Sequence, residues 1–592
     1  MFLRCNQRIK DGKTHHYWSV VENRRLGDGR VVQRQVLYLG EINDSQREVW
    51  RRTIEVIDEG TRRQVALFPE AIAPAAADVI GIRLSELQLR RPRQWGACWM
   101  AGVLWQQLKL DAFWAARLPA SRKGTPWQQV LQTLVAYRLI DPGSEWRLHR
   151  QWFDVSAMAD LLGGDFTLAQ KNTLYRCLDK LVAHKDALFK FLCERWGELF
   201  GAKFDVLLYD LTSTYFETDT LREEGDKRQY GYSRDKRFDC RQVVIGLIVT
   251  PEGFPLSYEV LAGNTADSTT LSDFLNRIEQ RYGHANRIWV MDRGVPTEES
   301  LAQMRAIGAS YLVGTPKGRL TRMEQAFLSQ PWVRVRDGIT VKRLDQDEDT
   351  YVLAQSDKRI DKERAMRRRR LKRYVARLKQ LQGQKLTRDE LLKKVGAAEH
   401  DAGRAARLIE LTLPGKNDAV TPQTFRFTLN QEKLRRVRRR EGRYLLRTNL
   451  TGHDPDQLWT FYVQLTEVEQ AFKELKNDLA VRPIYHQLES RIEAHIFVAF
   501  LAYCLQVTLK AQLRRLATGL TPREVLDKFK TMQMVDVHVP TADGRELVLS
   551  RYTQPEPEHR MLLDLLRLNL PEQPPPKITA KQIHRHANFC DA

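Results

Sequence analysis

Between residues 204 and 315, short apolar runs alternate with amphipathic stretches. Phe204-Asp205-Val206-Leu207-Leu208-Tyr209-Asp210 and Arg287-Ile288-Trp289-Val290-Met291-Asp292 are rich in β-branched and aromatic residues, and each ends in an aspartate. Such runs predict buried strands. Residues 242–249 and 255–260 predict two more, with Pro251-Glu252-Gly253 as the turn between them. The pattern then predicts helices over about 269–282 and 297–307 and a short strand at 310–314. Three strands, a helix, a strand, a helix and a strand make a mixed α/β sheet.

Other stretches carry other periods. Residues 1–60 predict a basic β unit followed by a helix, with two strand-like runs flanking the turn signal Asp28-Gly29. Residues 61–84 read as a linker, Ala- and Pro-rich over 61–80. Residues 85–200 predict a helical domain, in which Leu104, Leu108, Leu110, Leu131, Leu134 and Val135 recur at roughly helical spacing. Asp165-Phe166-Thr167 before residues 168–176 allows either a helix-turn-helix or a helical bundle without DNA contact. Residues 201–319 form the first part of the α/β core, 320–450 an inserted subdomain, and 451–520 the second part. Residues 521–592 are a C-terminal region whose Pro571-Glu572-Gln573-Pro574-Pro575-Pro576 predicts a mobile end.

Residues 455–480 show the clearest helical period. Phe461, Leu465, Val468, Phe472, Leu475 and Leu479 follow a 4-3-4-3-4 spacing and make one apolar stripe. Tyr462, Glu469 and Lys476 stand seven residues apart. At 3.6 residues per turn they form one row about 100° round from the stripe. Glu469 therefore sits at the margin of the buried face, as would any polar boundary residue. A carboxylate at a buried strand end is costly unless paired, and two side by side repel. A divalent cation relieves both costs, so the aspartates suggest a metal site.

The charge says what such a site acts on. The 592 residues carry 95 Lys+Arg against 74 Asp+Glu, a net charge of +21. Residues 357–379 hold twelve Lys/Arg against three acids, and residues 431–447 eight against two. These blocks supply +15 of the +21 and predict contact with a polyanion backbone rather than a merely solvated helix face. At 42% hydrophobic the chain can bury real cores, and no run of about 18 apolar residues predicts a membrane span. The N-terminus lacks a signal-peptide layout and the seven scattered cysteines form no Cys-x-x-Cys pair. Both fit a reducing cytoplasm and argue against a zinc module.

Asp210 in Tyr209-Asp210-Leu211-Thr212-Ser213-Thr214 and Asp292 in Val290-Met291-Asp292-Arg293-Gly294 resemble the first two acids of a DDE transposase. Tyr462-x2-Leu465-x3-Glu469-x6-Lys476 resembles the Tyr-x2-Arg-x3-Glu-x6-Lys signature of the insertion-sequence 4 superfamily. The N-terminal hairpin, Gly263-Asn264, Gly442-Arg443-Tyr444 and Arg482-Pro483-Ile484-Tyr485-His486 are most similar to its 1634-type branch. The resemblance implies a ribonuclease H-like core with a large insertion before the Glu helix, which accounts for the 177 residues from Asp292 to Glu469.

It also implies a transposase of a prokaryotic insertion sequence, located with the nucleoid in the cytoplasm. Asp210, Asp292 and Glu469 would be catalytic and hold two Mg²⁺ or Mn²⁺ ions about 4 Å apart. Such ions serve cleavage at the terminal inverted repeats and joining of the 3′ ends to target DNA, and a homodimer would hold the two ends. Tyr462 and Lys476 would contact the terminal phosphate, and Arg293, beside the second aspartate, would be a further phosphate clamp. Leu465 replaces the signature arginine, and Lys473 is the candidate substitute. Arg367, Arg368, Arg369 and Arg370 are the basic-helix residues expected on DNA. The rival readings are a DNA-binding derivative without catalysis and a metal-dependent nuclease that does not join.

Overall fold

The computed structural model describes residues 2–10, 13–25, 31–41, 54–58, 63–66, 80–122, 124–217, 225–266, 270–282, 287–315, 317–323, 325–346 and 348–579. The chain forms two compact units. The first comprises Met1–Gln107, Pro119–Tyr175 and Gln512–Ala592, and the second Leu108–Leu118 and Arg176–Ala511.

The first unit opens with an antiparallel sheet of β1 (Phe2–Lys10), β2 (Lys13–Arg25) and β3 (Val31–Glu41). Arg25 pairs with Val31, so β2 and β3 are the two arms of the expected hairpin. Its Asp28-Gly29 turn and the helix expected after it lie outside the described residues. A small sheet follows, in the order β5-β4-β6, from β4 (Ile54–Asp58), β5 (Arg63–Ala66) and β6 (Ile80–Ile82). Strand β7 (Gln88–Gln94) leads into the helices Gly96–Gln107 and Trp127–Ile140. In the second of these, Val130, Leu131, Leu134 and Val135 are buried, as the helical period requires.

The second unit is built on one nine-stranded sheet. Strands β8 (Val206–Tyr215), β9 (Gln242–Val249) and β10 (Pro255–Ala262) run antiparallel in sequence order. On the other side of β8, β11 (Ile288–Met291) and β12 (Ser310–Gly314) run parallel to it. The helices Leu271–Tyr282 and Glu298–Ala306 make the crossovers. Leu207, Tyr209 and Leu211 share one face of β8 and join Phe274, Leu275, Ile278, Leu301 and Met304 in one core. Strand alternation therefore turns Asp210 to the opposite face.

The segment between the sheet and the Glu469 helix extends that same sheet. Strands β13 (Val333–Arg336), β14 (Ile339–Gln346) and β15 (Asp349–Ser356) form an antiparallel meander. The helices Asp357–Gln382 and Arg388–Ala402 follow, with the ribbon of β16 (Ile409–Thr412) and β17 (Arg426–Leu429). They share a separate core centred on Tyr374, Leu378, Leu381, Leu391, Val395 and Phe425. Strand β18 (Arg443–Thr448) then pairs antiparallel with both β12 and β15 and completes the order β10-β9-β8-β11-β12-β18-β15-β14-β13.

Among the described residues, the helix Glu489–Leu516 is long and apolar enough to cross a membrane by length and composition alone. Inside the protein 94% of its apolar window is buried, so it is a core helix.

A last sheet of the first unit takes the order β21-β20-β19-β7, from β19 (Gln533–Pro540), β20 (Glu546–Tyr552) and β21 (Lys577–Thr579). The Pro-rich stretch expected to be a mobile end is held down. The Gln573 side chain accepts from the Tyr552 amide at 3.1 Å and donates to its carbonyl at 2.9 Å, and β21 pairs with β20. Proline lacks an amide donor, so composition alone does not reveal these tethers.

Candidate active site

Strands β8 and β11 set the first two carboxylates. Tyr209 lies opposite Met291 in parallel register, so Asp210 and Asp292 follow at the same height. Adjacent strands are about 4.8 Å apart, so the two residues stand on neighbouring strands, and both line one cleft. Asp292 stands just past the end of β11 and is exposed. Asp210 does not end its strand as the apolar run implied. It sits mid-strand, half-buried, because Leu211-Thr212-Ser213-Thr214-Tyr215 continue the pairing with β9. Thr212, Thr214 and Tyr215 are themselves good strand formers.

Glu469 arrives on the helix Leu465–Lys473, whose Leu465, Val468 and Phe472 are buried. The continuous helix expected over 455–480 is instead three pieces. Pro455–Val463 stops at Gln464, where the Glu467 amide bonds the Gln464 carbonyl at 2.8 Å in a tightened three-residue step. Glu474–Asp478 is a π-turn, with the Leu479 amide bonding the Glu474 carbonyl at 2.9 Å. The row of Tyr462, Glu469 and Lys476 therefore diverges. Tyr462 and Glu469 line the same cleft as the aspartates, whereas Lys476 points into a separate buried cluster.

That cleft, of about 880 Å³, is lined by Asp210, Asp292 and Glu469 together. Tyr462 donates its hydroxyl to Asp292 Oδ1 at 3.4 Å. Burial, and then the Asp292 carboxylate, push the Tyr462 phenol well above its usual pKa, so it stays a donor. Its ring lies over Gly314 at the end of β12, where a Cβ would come within 2.7 Å of the hydroxyl. Tyr444 packs edge-on against the same ring, its centroid 6.2 Å from that of Tyr462 and 5.4 Å from that of Trp459. Arg293 is exposed on the cleft wall.

The cleft has cations that sequence reading did not single out. Lys358 and Arg359 begin the first basic block and Arg443 belongs to the second, and all three line the cleft with Arg336 and Arg404. Gly442-Arg443-Tyr444 was the one signal in the sequence for this wall.

The remaining predicted residues are dispersed. Lys473 is exposed but does not line the cleft. Lys476 Nζ lies 3.0 Å from Asp235 Oδ1, and Arg482 pairs with the same oxygen. Burial pushes the Lys476 ammonium pKa down, and Asp235 offsets part of that shift. Arg368, Arg369 and Arg370 are exposed on the helix Asp357–Gln382. Arg367 is not, because its Nε bonds Glu441 Oε1 at 2.5 Å in a buried pair that ties this helix to the end of the second basic helix, Gln431–Arg440. Two other carboxylates of this segment, Glu467 and Glu474, are held by Lys510 at 3.2 and 3.6 Å.

The donor set suits a hard divalent cation. Three carboxylates face one cleft, and among the described residues neither Asp292 nor Glu469 has an ion-pair partner. Oxygen-only ligands are what Mg²⁺ and Mn²⁺ take.

Residues 203–505 match the family model described as the transposase DDE domain, and residues 3–68 match the N-terminal domain of IS1634 family transposases. Comparison with curated proteins finds no match. Among solved structures, a synaptic complex of the piggyBac transposase with hairpin DNA is similar at 9% identity and a TM-score of 0.34, covering 68% of this chain and 70% of that one. The matched DDE domain spans just over half of the chain and contains all three carboxylates, so this protein belongs to the DDE transposases, in their IS1634 branch.

Proposed function

We propose that Asp210, Asp292 and Glu469 form the catalytic centre of an insertion-sequence transposase that cleaves DNA at the element's terminal inverted repeats and joins the 3′ ends to target DNA. The observation that carries this reading is the convergence of the three carboxylates on one cleft, with the two aspartates at equal height on adjacent parallel strands. The order β10-β9-β8-β11-β12, an antiparallel meander followed by two strands parallel to its first, supports a ribonuclease H-like core.

Divalent ions bound by these carboxylates would supply a nucleophile at neutral pH and charge stabilisation for the leaving oxygen. The chain's own residues position the substrate. Tyr462 fixes Asp292 through its hydroxyl. Arg293, Arg443 and Lys358 give the cleft wall cations for a phosphate backbone. Arg368 to Arg370 offer a second phosphate track. Two copies of the chain would hold the two element ends.

The test is a Mg²⁺-dependent cleavage and joining assay on DNA bearing the terminal repeats. Asp210→Asn, Asp292→Asn and Glu469→Gln should each abolish cleavage and retain DNA binding. Normal cleavage by any one of them removes that residue from the centre. Cleavage without joining by the intact chain makes it a nuclease, and binding without cleavage makes it a non-catalytic derivative.

A further inference from the structure

The connection from β8 to β9 carries an unusual surface. Within residues 225–241, Tyr232 is 79% exposed, Phe238 62% and Tyr230 51%. Scattered exposed aromatics need no explanation, but three on one short loop do. The loop is not loose. Asp226 and Arg228 form a buried pair beneath it. The Gln242 side chain donates to the Tyr232 carbonyl at 3.1 Å and the Gly263 carbonyl at 2.9 Å. Ser233 accepts from the Arg237 amide at 3.1 Å, and the Lys236 amide bonds the Ser233 carbonyl at 3.1 Å with Lys236 in the left-handed region (φ 62). The backbone is pinned while the rings of Tyr232 and Phe238, centroids 6.4 Å apart, face solvent.

The chemistry around the rings is cationic. Residues 225–241 contain six Lys/Arg and three Asp. The Arg241 guanidinium lies over the Tyr230 ring at 5.5 Å and that of Arg237 over Tyr215 at 4.8 Å. Exposed rings interleaved with cations suit a strand with unstacked bases, because every base has a π face and every link a phosphate. A fully paired duplex hides its base faces.

The loop also stands beside the candidate active site. Its Asp235 pairs with Lys476, on the segment that continues the Glu469 helix. Seven residues of helix separate Lys476 from Glu469, about 10 Å at 1.5 Å per residue.

We propose that residues 225–241 form a stacking site for unpaired bases of the DNA strand entering the cleft, with Tyr232 and Phe238 as the platform. This rests on the reading of the chain as DNA-acting. Separating strands at an element end would expose such bases, and a fixed aromatic pair would capture them.

The test measures binding by fluorescence anisotropy with the full-length chain, in EDTA so that cleavage plays no part. The probes are a labelled single-stranded oligothymidine and a labelled fully paired duplex. The double variant Tyr232→Ala/Phe238→Ala should bind oligothymidine at least about fivefold more weakly, while its duplex affinity and salt slope stay unchanged. Tyr232→Trp/Phe238→Trp should retain single-strand binding. Both positions are exposed, so the melting temperature should not move. Equal oligothymidine affinity in the alanine variant overturns the proposal. So does an equal loss on both probes, or a change in oligomeric state without a change in affinity. If the wild-type chain binds neither probe, the DNA-acting reading falls and takes this site with it.

Discussion

Lys476 gives its ammonium to Asp235, Nζ to Oδ1 at 3.0 Å, in a pair where both side chains are nearly buried. Arg482 shares the same carboxylate oxygen. The residue that the family signature assigns to a DNA phosphate is therefore already occupied by an anion from a neighbouring loop. A phosphate reaching Lys476 has to compete with Asp235.

Asp235→Asn should consequently have two opposed effects. It leaves Lys476 and Arg482 without their shared counter-charge, which should cost roughly 3 kcal/mol of stability, the low end for a broken buried pair. It also releases both cations for phosphate, so DNA affinity at low salt should rise and its salt dependence steepen. Thermal melting and a salt titration of binding check the two halves. A variant that is less stable and binds DNA no more tightly makes Asp235 a purely structural partner.

The first basic block should split by position. Replacing Arg368, Arg369 and Arg370 together with Ala should weaken DNA binding and lower the salt slope by up to about three, because these side chains are exposed and have no ion-pair partner among the described residues. Arg367→Ala should instead lower the melting temperature. It strips a direct partner from the buried Glu441 carboxylate, whose other cation, Arg364, stays 3.5 Å away. An Arg367→Ala chain with unchanged stability and weakened DNA binding reverses this assignment.

Gly314 keeps room for Tyr462. Gly314→Ala would bring a Cβ to 2.7 Å from the hydroxyl and 3.2 Å from the ring carbon, and the ring is wedged against Tyr444. The substitution should cost about 1–3 kcal/mol and slow cleavage by moving Tyr462 off Asp292. Adding Tyr462→Phe removes the closer clash, so the double variant should recover part of the lost stability but not the cleavage rate. A double-mutant cycle in thermal stability measures the coupling, and strict additivity would mean the two residues do not touch.

Acid should weaken the first unit at a defined place. Burial alone would raise the Asp536 pKa, but hydrogen bonds from Arg93 and Ser550 and the arginine charges outweigh it and hold the carboxyl below its usual value. A lowered folded-state pKa gives stability that is present above the unfolded value, near 3.9, and is lost as pH falls through the folded value. Arg93 holds both Asp536 oxygens at 2.9 Å, and it is almost wholly buried. Asp536→Asn should therefore melt earlier at neutral pH and lose less additional stability below about pH 4 than the wild type. Parallel pH-dependent melts of the two chains would refute this.

Much of the central sheet is readable from the chain alone. From Gln242 to Gly314 each strand is built on a short apolar run, and the helices between them bury an apolar stripe, so local pattern and tertiary burial coincide. The two aspartates are equally visible, since an acid beside a buried run contradicts its surroundings. The seven-residue spacing brings out Glu469. Local pattern does not contain the rest. Where β8 stops depends on its partner β9, which continues past Asp210. The breaks at Gln464 and Glu474–Asp478 reverse nothing in the apolar stripe, yet they send Lys476 to Asp235 rather than into the cleft. The basic blocks look uniform in sequence. The fold buries Arg367 against Glu441 and Arg447 against Asp349, exposes Arg368 to Arg370, and brings Lys358, Arg359 and Arg443 to the cleft wall. Periodicity records which side of an element is buried, because that cost is local. Which charge meets which is settled only when segments as distant as residues 367 and 441 come within a few ångströms.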